Sequence, residues 1–189
     1  PDPLISIRTG ITSLFGLSNF YLIKQSANYF AESNQLNVFT HTWSLDVEEQ
    51  FYVFFPLMIW FSGFGRKTIN GKRNLLFIIF ITITFSLIGY ISLNQINQTA
   101  AYFLMPTRFW EMAFGCLTFL LITKGNKFSN FLKNINSDLI IVLLISVLFL
   151  PISYGLFATI LVVILTSLLI ASLNDGKTYN LFIDKISKI

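Results

Sequence analysis

The sequence has a single cysteine, a single histidine, three methionines and few charges, with 13 Lys/Arg and 9 Asp/Glu in 189 residues. One cysteine, Cys116, leaves no intrachain disulfide framework, which excludes a small stapled secreted scaffold. One histidine, His41, with carboxylates at no ligand-like spacing, leaves no zinc-type ligand set, and no metal site is expected. Charged residues make up 12% of the chain and hydrophobic ones 54%, against about a quarter and about a half in soluble domains. That balance excludes an ordinary soluble enzyme and a disordered binder. The net charge of +4 and the pI near 9.3 do not make a nucleic-acid partner, because the bases sit in loops and never alternate with aromatics on one polar face. The chain opens Pro1-Asp2-Pro3, without Met or a basic leader. No signal peptide is read there, and an internal piece of a longer protein is expected.

What is present instead is a series of phenylalanine-rich apolar runs, at about 9–23, 44–62, 74–93, 104–123, 138–152 and 156–173. They lack the period-2 alternation of barrel strands, so they read as helices. A spanning helix uses roughly 20 residues, so the expected fold is all-α: a polytopic transmembrane bundle of about six spanning helices in one domain over 1–189, bathed in membrane lipid. The clearest runs, Asn74–Leu93 and Leu156–Leu173, contain no charged residue. Cytoplasmic loops carry an excess of bases. Eleven of the thirteen Lys/Arg fall on one set of sides: Arg8, Arg66, Lys67, Lys72, Arg73, Lys124, Lys127, Lys133, Lys177, Lys185 and Lys188. Lys24 falls opposite and Arg108 lies within a helix. Both ends are therefore expected to be cytoplasmic, with Lys24–Thr42 and Asn94–Ala101 outside.

Charges inside membrane segments are costly and usually mark a function or a buried pair. Two clusters break the apolar pattern. The first, Thr40-His41-Thr42-Trp43-Ser44-Leu45-Asp46-Val47-Glu48-Glu49-Gln50-Phe51-Tyr52, runs directly into Val53–Trp60. Ser44 or Asp46 is suited to cap the helix N-terminus, where acidic side chains are favoured. Capping accounts for Asp46 and one glutamate, and less well for a helix that places Glu48 beside Tyr52 and Glu49 beside Phe51-Tyr52-Val53, one turn deeper. His41 is either a proton-transfer group or a hydrogen-bonding residue beside an interfacial tryptophan. The second cluster is Pro106-Thr107-Arg108-Phe109-Trp110-Glu111-Met112-Ala113-Phe114-Gly115. Arg108 and Glu111, three apart, share a helix face and are expected to pair; alternatively Arg108 holds an anion or orients a glutamate of the first cluster. Gly115, one turn on, permits close helix approach.

The string from His41 to Tyr52 resembles the hallmark of the family-3 membrane acyltransferases, bacterial enzymes that O-acetylate cell-surface sugars. Leu17-Ser18-Asn19-Phe20-Tyr21, Tyr29-Phe30, and Pro106-Thr107-Arg108-Phe109-Trp110-Glu111 with Gly115 agree in order, and the tail Leu181-Phe182-Ile183-Asp184-Lys185-Ile186-Ser187 is similar to the stretch before a later helix. The resemblance implies a partial acyltransferase domain in the bacterial cytoplasmic membrane. It would transfer an acyl group, usually acetyl from acetyl-coenzyme A with no bound cofactor, to a hydroxyl of a glycan or lipid-linked sugar. The branch with the Arg-Trp-Glu pattern resembles enzymes acting on O-antigen of lipopolysaccharide or on peptidoglycan, often with an appended extracytoplasmic hydrolase-like domain. One departure matters: the family's essential histidine lies on its first helix, after a basic residue, and this chain has none there.

Acyl transfer needs a base near the acceptor hydroxyl and donors around the oxyanion. On that footing Glu48, Glu49 and His41 are the catalytic candidates, the glutamates orienting a base or binding sugar hydroxyls. Trp43, Ser44, Gln50, Tyr52, Arg108 and Glu111 are the substrate-binding candidates, with Trp43 as a stacking face. The segment alone is expected to be inactive. The rival reading is a polysaccharide or lipid translocator whose buried charges line a path without covalent chemistry.

Overall fold

The computed structural model describes residues 3–25, 38–66, 68–122 and 136–173. The Tyr29-Phe30 pair, Lys67, Lys124, Lys127, Lys133, Lys177, Lys185, Lys188 and the tail 181–187 lie outside them. Among the described residues the chain is helical throughout, without strands. The α-helices are α1 (Pro3–Ser13), α2 (Ser18–Gln25), α3 (Trp43–Ser62), α4 (Gly71–Ile96), α5 (Gln98–Phe103), α6 (Met105–Leu121), α7 (Ser137–Val147) and α8 (Gly155–Leu173). Short 3-10 turns at Thr40–Thr42 and Ile152–Tyr154 lead into α3 and α8. The chain divides into two compact units, Pro1–Met112 and Ala113–Ile189.

In the first unit the expected run over 9–23 is broken. Gly16 sits at φ 66°, a left-handed conformation that glycine adopts without strain. The Leu17 N–H bonds Thr12 O at 3.0 Å and the Gly16 N–H bonds Ser13 O at 3.1 Å, the paired bonds of a Schellman helix end. The chain then restarts as α2. A second left-handed glycine, Gly63 at φ 74°, ends α3. Past it Arg66 lies over the exposed Trp60 ring at 5.7 Å, a basic and aromatic pairing of the kind that marks a membrane boundary.

Among the described residues, only α4 and α8 are both long enough and apolar enough to cross a membrane. These are the two runs without charge. At 26 and 19 residues they meet the roughly 20-residue requirement, and only 22% of the most apolar stretch of each is buried. Phe77, Phe80, Phe85 and Ile88 are exposed large apolar side chains along α4. By contrast α3 has 20 residues with three carboxylates near its start, α6 has 17 and α7 only 11.

Polar side chains fasten the first unit. Ser86 of α4 donates to Pro106 O at 2.6 Å and accepts from the Trp110 N–H at 3.0 Å, bridging two α6 groups that an uninterrupted helix joins to each other. Asn97 Oδ1 caps α5 by accepting from the Ala100 N–H. Thr107 Oγ1 returns to Ala101 O at 2.9 Å, near the end of that helix. In the second unit α7 and α8 form a helical hairpin around Ile140, Val147 and Leu165. Ser172 donates to Ser137 at 3.3 Å across its open end.

Candidate functional site

The acidic motif opens α3, and its residues divide by helical phase. Asp46 and Gln50, four apart, face α2. The Asp46 carboxylate, 2% exposed, accepts from the Ser18 N–H, so it caps α2, a neighbouring helix. The expectation that Ser44 or Asp46 caps α3 is corrected: the N-cap of α3 is Thr42, with no side-chain cap bond. The preceding 3-10 turn alters the entry, and Ser44 Oγ instead donates to His41 O at 3.3 Å. Thr42 Oγ1 meets Ser18 Oγ at 3.1 Å. Gln50 Nε2 donates to Gly16 O at 2.7 Å and Asn19 Oδ1 at 3.2 Å. Buried Asn19 in turn donates to Phe103 O at 3.2 Å, tying α2 to α5. The turn around Gly16 is thus held by groups that would otherwise be orphaned at helix ends.

Trp43, Ser44, Val47 and Glu48 lie on the other face of α3 and line a cavity of about 300 Å³ with Tyr102, Arg108, Glu111 and Met112. The two polar clusters therefore meet in one place. Arg108 and Glu111 pair as expected, with Nη2 to Oε2 at 2.9 Å and Nε to Oε1 at 3.2 Å. Their side chains are 21% and 20% exposed, so the pair is partly withdrawn from solvent. The guanidinium lies 5.4 Å from the Trp43 ring centre and 5.1 Å from that of Tyr102. Those rings touch each other at 4.6 Å, so Arg108 is fixed by a carboxylate fork and two aromatic rings. Among the described residues no side chain pairs with Glu48.

Of the candidates named from sequence, Trp43, Ser44, Glu48, Arg108 and Glu111 line this cavity, while His41, Glu49, Gln50 and Tyr52 do not. His41 is exposed in the 3-10 turn. Glu49 is exposed on the side of Gly16, its Oε2 3.1 Å from where a Cβ on that glycine would sit. Gln50 is occupied in the α2 clamp, and Tyr52 is 64% exposed on the outer flank. Gly115 makes no close approach among the described residues, since a Cβ there would meet nothing within 4 Å. Sequence reasoning missed Tyr102, Val47 and Met112 as lining residues and Ser18 and Thr42 as clamp residues. Val47 was reachable from its place four residues after Trp43, whereas Tyr102 carries no local signal.

An apolar cavity of about 460 Å³ lies across α6 from the polar one, between α3, α4 and α6, lined by Phe54, Phe85, Gly89, Met105 and Phe109 among others.

Over the described residues these features define an all-helical chain with helices of membrane-crossing length and a polar, aromatic-walled cavity. Over 122 residues, 62% of this chain, it is 34% identical to O-acetyltransferase OatA of Staphylococcus aureus, of which the match covers 19%. It is 34% identical over 142 residues to an uncharacterised protein of Haemophilus influenzae, covering 71% of this chain and 56% of that one. A putative O-acetyltransferase of Staphylococcus aureus is 37% identical over 59 residues, 31% of this chain and 10% of that protein. The chain thus spans about a fifth of the length of OatA. No family model and no solved structure matches it. The similarities support an acyltransferase-like protein over the matched part.

Proposed function

We propose that this chain forms part of an integral-membrane O-acyltransferase that moves an acetyl group from acetyl-coenzyme A to a hydroxyl of a cell-surface glycan. The observation that carries the reading is the single cavity built from both polar clusters, Trp43, Ser44 and Glu48 from one and Arg108 and Glu111 from the other. Relatives named O-acetyltransferases lend it support. In the transfer, the glycan hydroxyl attacks the thioester carbonyl, the C–O bond forms as the C–S bond breaks, and coenzyme A leaves as the thiolate that takes up the hydroxyl proton. Glu48 accepts a hydrogen bond from the acceptor hydroxyl and orients it. Trp43 and Tyr102 give the sugar ring an apolar wall, while the Arg108–Glu111 fork holds the wall in place. The base itself lies beyond these residues, since His41 stands outside the cavity.

In this reading the helices form a multi-pass bundle of about six spans in the bacterial cytoplasmic membrane, both ends of the chain cytoplasmic and the cavity opening outward. The acceptor is a peptidoglycan, lipopolysaccharide or lipid-linked sugar. The test is the acetyl content of the surface glycan in cells making the full-length protein, normalised to its abundance in the membrane. Glu48→Gln is expected to lower acetylation at least about tenfold, a loss of roughly 1.4 kcal/mol of transition-state stabilisation or more. Full acetylation by both Glu48→Gln and Glu49→Gln proteins would leave the acidic motif as an anchor and defeat the proposal.

A further inference from the structure

Resting on the reading of the cavity as the acceptor site, we infer that it selects an uncharged, hydroxyl-bearing ring and turns away anions, including carboxylated sugars and the phosphorylated end of coenzyme A. An arginine in a cavity ordinarily suggests an anion site. Here the Nε–Nη2 edge of the guanidinium is held by Glu111 at 3.2 and 2.9 Å, and the carboxylate offsets its charge. The ring centres of Trp43 and Tyr102 lie 5.4 and 5.1 Å from its central carbon. A ligand anion would have to displace Glu111 to obtain the Nε–Nη2 edge, and at the Nη1 side it would meet a cation that Glu111 already neutralises.

Arg108 is the one cation lining the cavity among the described residues, and the carboxylates of Glu48 and Glu111 oppose it. The lining charge is one positive against two negative, a net of −1, and the unpaired member is Glu48. The aromatic walls add to this, because the faces of Trp and Tyr are the negative side of their quadrupoles. They suit the C–H face of a pyranose and repel a carboxylate. Glu48 in this scheme accepts hydrogen bonds from hydroxyls and sets the charge preference, which makes it a specificity residue as well as an orienting one.

The experiment uses the full-length protein in detergent micelles and equilibrium dialysis with three probes: methyl glucoside, methyl glucuronide, which differs by one carboxylate, and coenzyme A. The wild-type protein is expected to bind the glucoside at least about tenfold more tightly than the glucuronide, the discrimination that one like charge a few ångströms away supplies. Coenzyme A should fail to displace the glucoside. Glu48→Gln, at an exposed position, should narrow the ratio, and Glu111→Gln, which releases Arg108, should reverse it. Glucuronide binding as tight as glucoside binding, or displacement of the glucoside by coenzyme A, would overturn the charge selection and leave the cavity a sugar site. Absence of binding by either glycoside to well-folded protein would overturn the acceptor reading and this inference together.

Discussion

Three acids stand within four positions of the same motif, and the structure gives them different work, which a stability series can separate. Asp46 is 2% exposed and its carboxylate receives the N–H of Ser18, itself fully buried, at the first turn of α2. Hydrogen bonds between membrane helices average only about 0.6 kcal/mol. A buried bond to a charged group is worth about 1.5–3 kcal/mol, and an anion at a helix N-terminus adds about 0.3–1 kcal/mol. Asp46→Ala removes the acceptor and strands the Ser18 amide, so the expected cost is about 2–4 kcal/mol, roughly a thirtyfold to several-hundredfold shift in the folding equilibrium. Asp46→Asn keeps an oxygen in place and loses only the charge, so about 1 kcal/mol is expected. Glu48→Gln, exposed and without a partner among the described residues, should stay within about 0.5 kcal/mol of wild type. The assay is equilibrium unfolding in mixed micelles with rising sodium dodecyl sulfate, followed by far-ultraviolet circular dichroism. If Asp46→Ala and Glu48→Gln unfold at the same detergent fraction, the clamp on α2 contributes nothing and the division of the motif by helical phase is wrong.

Arg108→Lys should reduce surface-glycan acetylation at least about tenfold at normal membrane abundance, because a point charge cannot reproduce the forked contact with Glu111 or its stacking on two rings. Acetylation at the wild-type level would show that the fork is dispensable. Gly16→Ala should cost about 1–2 kcal/mol, since φ 66° is strained for any side chain and its Cβ would meet Glu49 Oε2 at 3.1 Å; unfolding in the same mixed micelles measures it, and no change would remove the Schellman end from the account. For topology, cysteines replacing Arg66 and Gln98 in a Cys116→Ser background should respond oppositely to a membrane-impermeant maleimide on intact cells. Gln98→Cys should label and Arg66→Cys should not; the reverse pattern would invert the proposed orientation.

The long helices were legible because their signal is local: unbroken apolar runs over Asn74–Leu93 and Leu156–Leu173 anticipate α4 and α8 within three residues at each end. The Arg108–Glu111 pair was legible for the same reason, as a spacing of three on one helix. The break between α1 and α2 was present in the sequence as Gly16 followed by Ser18, a stop and a start in succession, but the apolar residues on both sides outweighed it in a reading by hydropathy. The partner of Asp46 was not legible, because a carboxylate near a helix start looks the same whether it caps its own helix or one 28 positions earlier in the chain. Tyr102 shows the limit most plainly. It reaches the cavity only because α5 is a short helix between a capped Asn97 and the turn at Leu104, and the path of a connection is decided by packing.

The bridge from Ser86 to Pro106 and Trp110 also acts as an index mark on α6. A helix can slide or spin against its neighbours with little penalty when the contact is only apolar, and a slip of one residue turns it by about 100°. Arg108 lies midway between the two backbone groups that Ser86 grips, so one hydroxyl on α4 determines the compass bearing from which the guanidinium meets Trp43. The aim of the charged cavity is therefore set from inside a helix of membrane-crossing length, by a residue that does not line that cavity.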